Sequence, residues 1–300
     1  MKMTAQVRNA VTKLFWGVRA VGPSRTLVGL MRLAVLRVRA RPEGVVRLRS
    51  GPILGFANPS QLVPTLVVFG DYIDPEMAFL RRVSRADWVV VDVGAAIGQF
   101  TVFAAKLPVA HVHAFEPSGD NVRTLEANLD RNGITSRVSV HQIAVSDCTG
   151  RMLFPTAQNP FLSRLDRSER PGAGATVDVR TLGEVLEDLG LDRVSCLKIN
   201  VAGFEAEVLA GAEPFLARQS ADVLIILISE GSLPWFAKIA SHGYRFFFFA
   251  PPTGRLHEVW DVDDVLRHER PWPARHLIGA SRAAIDRGLL DGVETVPRRG

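Results

Sequence analysis

Cysteine is scarce in this chain: Cys148 and Cys196 are the only two among 300 residues, and neither belongs to a CxxC pair or to a Cys/His group with zinc-ligand spacing. A disulfide-built scaffold and a structural metal are excluded, and two lone thiols suit a reducing, cytoplasmic setting. Long apolar runs are missing as well. Arg25, Arg32, Arg37, Arg39 and Arg41 interrupt the most apolar part of the first 45 residues, so no segment of about 18 apolar residues can cross a bilayer. No small-residue cleavage site follows that region, which excludes a secretory signal. Acid is nearly absent there too. Residues 1–49 hold eleven Lys or Arg against Glu43 alone, a local charge of +10 in a chain of net charge +5. The remainder is therefore net acidic, and the basic overall balance does not point to nucleic acid as a partner of the main domain.

What remains is ordinary globular composition, 47% hydrophobic and 22% charged, with no repeat or low-complexity tract. The basic arm, residues 1–50, reads as one or two amphipathic helices broken near Gly22-Pro23, with Ser24 placed to cap the second. Either the arm packs on the main domain, or its charged and apolar faces meet a membrane surface or a carrier protein. Hairpin-like pieces are expected between Val45 and Val68.

From Trp88 the pattern becomes short apolar runs alternating with amphipathic helices, the mark of βαβ units on a parallel sheet. Seven strands are expected: Trp88–Val93, His111–Phe115, Val138–Ile143, Ser195–Ile199, Val223–Ile228, Tyr244–Phe249 and Arg255–Trp260. A Pro-Pro-Thr-Gly turn joins the last two, which should form an antiparallel hairpin at one edge. Residues 51–260 form the expected domain. Residues 261–300 are expected as an extension packing on it, with a helix over 280–290. The stretch 147–179, rich in Pro, Gly and Ser, reads as an irregular, substrate-facing insertion.

The chemistry concentrates in Val89-Val-Val-Asp-Val-Gly-Ala-Ala-Ile-Gly98. An apolar strand enters a small-residue turn and then a helix, so backbone can approach a ligand at Gly94, Ala96 and Gly98. Glu116 ends the next strand, where a carboxylate can accept ribose hydroxyls. Asp92, two residues before the first glycine, would repel a dinucleotide pyrophosphate and suits the ammonium of a methionine moiety. These features point to an S-adenosyl-L-methionine site.

Six segments in order resemble the FkbM-type S-adenosylmethionine-dependent methyltransferases: Gly70-Asp-Tyr72, Val91–Gly98, Phe115-Glu-Pro117, Ala144-Val-Ser-Asp147, Val179-Arg-Thr-Leu182 and Leu197–Glu205. The resemblance implies the class I methyltransferase Rossmann-like fold, α/β with helices on both faces of a mostly parallel sheet. It also implies O-methylation of a small-molecule, sugar or secondary-metabolite hydroxyl. Tyr72, Asp92, Gly94, Ala96, Gly98, Glu116, Pro117 and Ala144 would line the cofactor.

The chain departs from the family after the fourth strand, where Leu-Lys-Ile-Asp-Val-Glu-Gly is expected and Asn200 and Ala202 replace both acids. Asn200 can orient a hydroxyl but cannot take its proton. Glu205, Glu230 or a histidine brought in by a loop are the candidate bases. Lys198, within an apolar strand, is expected to pair with a nearby acid. A binding protein that has lost its chemistry is the alternative. A nucleic-acid methyltransferase is disfavoured by Asn200-Val-Ala-Gly in place of Asn-Pro-Pro-aromatic.

Overall fold

The computed structural model describes residues 14–15, 17–19, 21–38, 42–48, 50–155, 174–201, 203–266 and 275–296. In the basic arm, Pro23–Val38 forms helix α1, and Glu43–Arg47 (β1) pairs with Ile53–Ala57 (β2) as an antiparallel hairpin. Pro23 opens the helix because it has no N–H to leave unpaired, so Ser24 lies inside the first turn and is not its cap. Helix Pro64–Phe69 (α2) receives α1 at close range: a Cβ on Gly29 would stand 2.4 Å from the Val68 carbonyl oxygen. A turn, Gly70–Ile73, and helix Pro75–Val83 (α3) lead into the main sheet.

The β-branched runs build its centre. Val89–Val93 (β3) is followed by helix Gln99–Ala105 (α4), strand His111–Phe115 (β4), helix Gly119–Asn132 (α5) and strand Val138–His141 (β5). Two side chains of α5 close the edge of β2: Asn128 Oδ1 accepts from the Gly55 N–H at 2.7 Å and Asn132 Oδ1 from the Ile53 N–H at 2.9 Å. The hairpin therefore joins the arm to the domain across the expected boundary at residue 50.

The insertion over 147–179 has more order at its ends than expected. Ala144–Ser146 (β6), Gly150–Pro155 (β7) and Gly174–Thr181 (β8) make a separate three-stranded sheet, while residues 156–173 lie outside the described set. The strand expected over 138–143 accordingly stops at His141. Helix Leu182–Asp188 (α6) starts at a capping box between Thr181 and Glu184. Strand Val194–Ile199 (β9), helix Glu205–Ala217 (α7), strand Ala221–Leu227 (β10) and helix Leu233–Ser241 (α8) complete the parallel part. Val91, Leu197, Ile199 and Val223 through Ile226 are fully buried, as expected for strands covered on both faces.

Tyr244–Ala250 (β11) and Arg255–Val259 (β12) form the expected hairpin, Phe246 opposite Val259. It does not pair with β10. His276–Ser281 (β13), from the stretch expected to be an extension, inserts between them, antiparallel to both. With Thr295–Val296 (β14) the sheet has nine strands, in the order β14-β12-β11-β13-β10-β9-β3-β4-β5. All six residues of β13 are buried, and Gly279 lies where Phe246 and Leu224 leave room for little beyond backbone. The helix expected over 280–290 shrinks to Arg282–Asp286 (α9), capped by Ser281, whose Oγ accepts from the Ala284 N–H. Among the described residues no helix is long and apolar enough to cross a membrane.

The boundary at residue 260 thus cuts through the sheet. A chain ending there would leave facing edges of β10 and β11 unpaired and their apolar faces wet. Such a truncation is expected to lose cooperative thermal unfolding by circular dichroism. A sharp transition near that of the full chain would show residues 261–300 to be dispensable.

Candidate functional site

The glycine loop after β3 is shaped from both sides. Gly94 has φ +81, and a Cβ there would meet the Asn200 carbonyl oxygen at 2.0 Å, so only glycine lets the loops after β3 and β9 touch. Gly98, φ +90, begins α4 with Leu125 of α5 pressed against its back. Ala96 holds a left-handed φ of +49, uncommon for a residue with a Cβ, and its N–H donates to Glu116 Oε2 at 2.9 Å.

Glu116 directly follows β4 in a buried position. Its Oε1 accepts from the Ser118 N–H and from Asn121 Nδ2, each at 3.0 Å. A carboxylate offers about four acceptor positions, so three protein donors orient it and leave room for a ligand hydroxyl. Burial pushes its pKa above the ordinary carboxylate range, against the pull of these hydrogen bonds and of Lys198.

A cleft of about 340 Å³ opens here, at the carboxyl ends of β3, β4 and β9. Gly94, Ala96, Glu116, Pro117 and Ala144 line it, and Phe115, Ile143, Val145 and Phe154 give it an apolar wall. Gly98 supports the loop from behind. Tyr72 lies in the Gly70–Ile73 turn, its side chain outside the described set. Asp92 is not on the wall. It is fully buried, accepting from Lys198 Nζ at 2.7 Å and Thr101 Oγ1 at 2.6 Å, while Lys198 Nζ also donates to the Gly94 carbonyl at 3.1 Å. The expected ion pair of Lys198 is thus with the very acid expected to meet the cofactor.

Two of the candidate bases are elsewhere. Glu205 is fully buried; its Oε1 accepts from the Val201 and Gly203 N–H groups and its Oε2 from Ser229 Oγ at 2.7 Å, so it ties down the loop after β9. Glu230 is exposed in the turn beyond β10 and does not reach the cleft. Asn200 does line it, whereas Ala202 lies outside the described residues.

The structure brings in four residues that the sequence reading missed. Asp74 and Glu76 come from the start of α3, and Arg275 and His276 from the start of β13. Asp74 Oδ1 pairs with Arg275 at 2.7 Å and its Oδ2 accepts from Gln99 Nε2 at 2.7 Å. His276 Nε2 is 3.2 Å from Asn200 Nδ2, and its Nδ1 stands 2.8 Å from Glu76 Oε1, close enough to pair although the ring N–H is not aligned on it. Glu76 Oε2 is buried with no hydrogen-bond partner among the described residues. Asp74, Glu76 and His276 lie near enough to one another to surround a cation, but the Arg275 guanidinium already supplies the positive charge there. Only a histidine without an assigned position had been anticipated; its strand, which begins about 180 residues beyond the glycine loop, offers no local motif.

Removing one partner from the buried Asp92–Lys198 pair leaves an uncompensated charge. Lys198→Met is expected to cost about 3–5 kcal/mol in urea unfolding, and Asp92→Asn/Lys198→Met together to recover much of that. Equal losses in the single and double variants would show that the pair does not couple β3 to β9.

Comparison with known proteins places this geometry. A profile for the methyltransferase FkbM domain matches residues 92–246. The 31-O-demethyl-FK506 methyltransferase FkbM of Streptomyces tacrolimicus is 33% identical over 156 residues, 42% of this chain and 59% of that protein. Methyltransferase sdnD of Sordaria araneosa is 32% identical over 155 residues, 41% of this chain and 60% of that protein. The chain thus spans about 60% of the length of these two relatives. A crystal structure of methyltransferase FkbM from Methylobacillus flagellatus aligns over 91% of this chain and 59% of its own, at 18% identity and a TM-score of 0.46. With its glycine loop and Glu116 within the matched span, the chain belongs to the FkbM methyltransferase family.

Proposed function

We propose that this protein transfers the methyl group of S-adenosylmethionine to a hydroxyl of a small-molecule or glycan acceptor. The observation that carries the reading is the meeting, in one cleft, of a buried carboxylate beside a glycine loop with a histidine held between Asn200 and Glu76.

The residues present fit the cofactor. Glu116 retains an acceptor position for ribose, and Ile143, Ala144, Val145 and Phe154 offer an apolar wall to a purine. The partnerless Glu76 Oε2 and the Asp74–Arg275 pair supply opposite charges for an amino-acid zwitterion. They take over the role first expected of Asp92. When bound, S-adenosylmethionine supplies an electrophilic methyl on a sulfonium. Asn200, on the cleft wall, would orient the acceptor oxygen, and positioning of this kind is worth up to about 7–11 kcal/mol.

His276 would take up the proton of the acceptor hydroxyl at Nε2 once the acceptor replaces the Asn200 Nδ2 contact made there at 3.2 Å. Glu76, whose Oε1 stands 2.8 Å from Nδ1, would stabilise the imidazolium by its charge. A proton acceptor is therefore available although Asn200 and Ala202 replace the family's acids, which favours an enzyme over a binding-only protein. The name of the Streptomyces tacrolimicus relative, a 31-O-demethyl-FK506 methyltransferase, supports oxygen as the methylated atom.

Calorimetric titration with S-adenosylmethionine and S-adenosylhomocysteine tests the cofactor site. Glu116→Ala is expected to weaken both about 10- to 100-fold without unfolding the protein. Because the pKa of Glu116 is raised and its ionised form is the better acceptor, affinity is expected to fall on acidification, beginning at a higher pH than for an ordinary carboxylate. Absence of binding to folded wild type would sink the cofactor assignment.

The chemical step is tested separately on a panel of sugars and macrolides with free hydroxyls. His276→Gln is expected to lower transfer by about 10²–10⁴-fold while leaving S-adenosylhomocysteine affinity within a few-fold. Undiminished transfer by that variant would remove His276 from the chemistry.

A further inference from the structure

Helix α1 buries one face and leaves the opposite face apolar. Thr26, Gly29 and Leu33 are buried, with Gly29 seated against the backbone of Val68 in α2, so the rotation of the helix about its axis is fixed by packing. At about 100° per residue, Leu27, Met31 and Val38 come round roughly 150° away from that contact. They are 60%, 61% and 83% exposed, with Val28 and Val35 also about half exposed beside them. Scattered exposed side chains would be unremarkable, but a continuous stripe along one helix marks a contact surface. Exposed arginines flank it, Arg25 and Arg32 along one margin and Arg37 along the other, and α1 contains no acidic residue.

We propose that this face of α1 docks on the surface of an anionic lipid bilayer, its stripe in the interface and its arginines on the headgroups. An apolar stripe between basic margins, on a helix too short to span, is the pattern of an in-plane membrane helix. The +10 charge of residues 1–49 acts in the same direction. A second copy of the chain fits this face poorly, since face-to-face contact brings arginines against arginines with no acid on either helix. α2, on whose Val68 α1 rests, also gives Leu66 to the wall of the cleft. The membrane contact is independent of the reaction assigned above.

The test is co-sedimentation of the full chain with vesicles of phosphatidylcholine alone and of phosphatidylcholine with about one quarter phosphatidylglycerol. Binding is expected to the anionic vesicles and to weaken as salt rises. Arg32→Gln and Arg37→Gln should each cost about fivefold in partitioning, the equivalent of ~1 kcal/mol per basic residue near such a surface. Met31→Glu/Val35→Glu should abolish binding, while calorimetric binding of S-adenosylhomocysteine shows the variant folded. No wild-type binding to anionic vesicles, or binding indifferent to the Met31/Val35 variant, would overturn the proposal. So would sedimentation of the wild type as a dimer that the variant dissolves, without vesicle binding.

Discussion

Lys198 Nζ lies in a nearly dry position between two parallel strands, bonded to Asp92 on one and to the carbonyl of Gly94 just past its end. An ammonium so placed needs both acceptors, because burial without them would cost several kcal/mol. Satisfying it brings the loop after β3 to a fixed height over β9. Gly94 and Asn200 then touch backbone to side-chain position, where any Cβ would collide. The floor of the cleft, the left-handed Ala96 and the grip of Ala96 on Glu116 follow from that arrangement.

The cleft so formed has a division of labour between its walls. The β4 side is apolar and holds one oriented carboxylate. The opposite side, made by α3 and β13, carries Asp74, Glu76, Arg275 and His276 close together. Opposite charges there hold one another in place and leave Glu76 Oε2 as the open position. Glu205, buried beneath, accepts from two backbone N–H groups and Ser229, which stiffens the segment that presents Asn200. A glutamate at the first turn of a helix can thus shape a site without entering it.

The contrast between Asp92 and Glu116 shows what a motif does and does not convey. Both acids end or nearly end an apolar strand, and both were legible as candidates. Their fates differ because β3 has Lys198 as its neighbour across the sheet and β4 does not. Strand pairing is a long-range fact, so a buried counter-ion 106 residues away is invisible in the local pattern. His276 was missed for a similar reason. A strand of one histidine and five apolar or small residues following a stretch with two prolines resembles the start of a helix or a loop, and only the unpaired edges of β10 and β11 give it a place.

Local chemistry determined much of this protein before any tertiary contact. The alternation of apolar runs with amphipathic helices required a parallel α/β sheet, the positive-φ glycines required a tight turn after β3, and Glu116 at a strand end required a polar ligand site, since each follows from backbone sterics or from a period of two or 3.6 residues. The tertiary structure alone decided which charges are free to act. Burial and pairing consume Asp92 and Glu205, exposure removes Glu230, and the insertion of β13 delivers His276 and Arg275 opposite α3. The cost of burying a charge depends on partners that only the folded chain brings together.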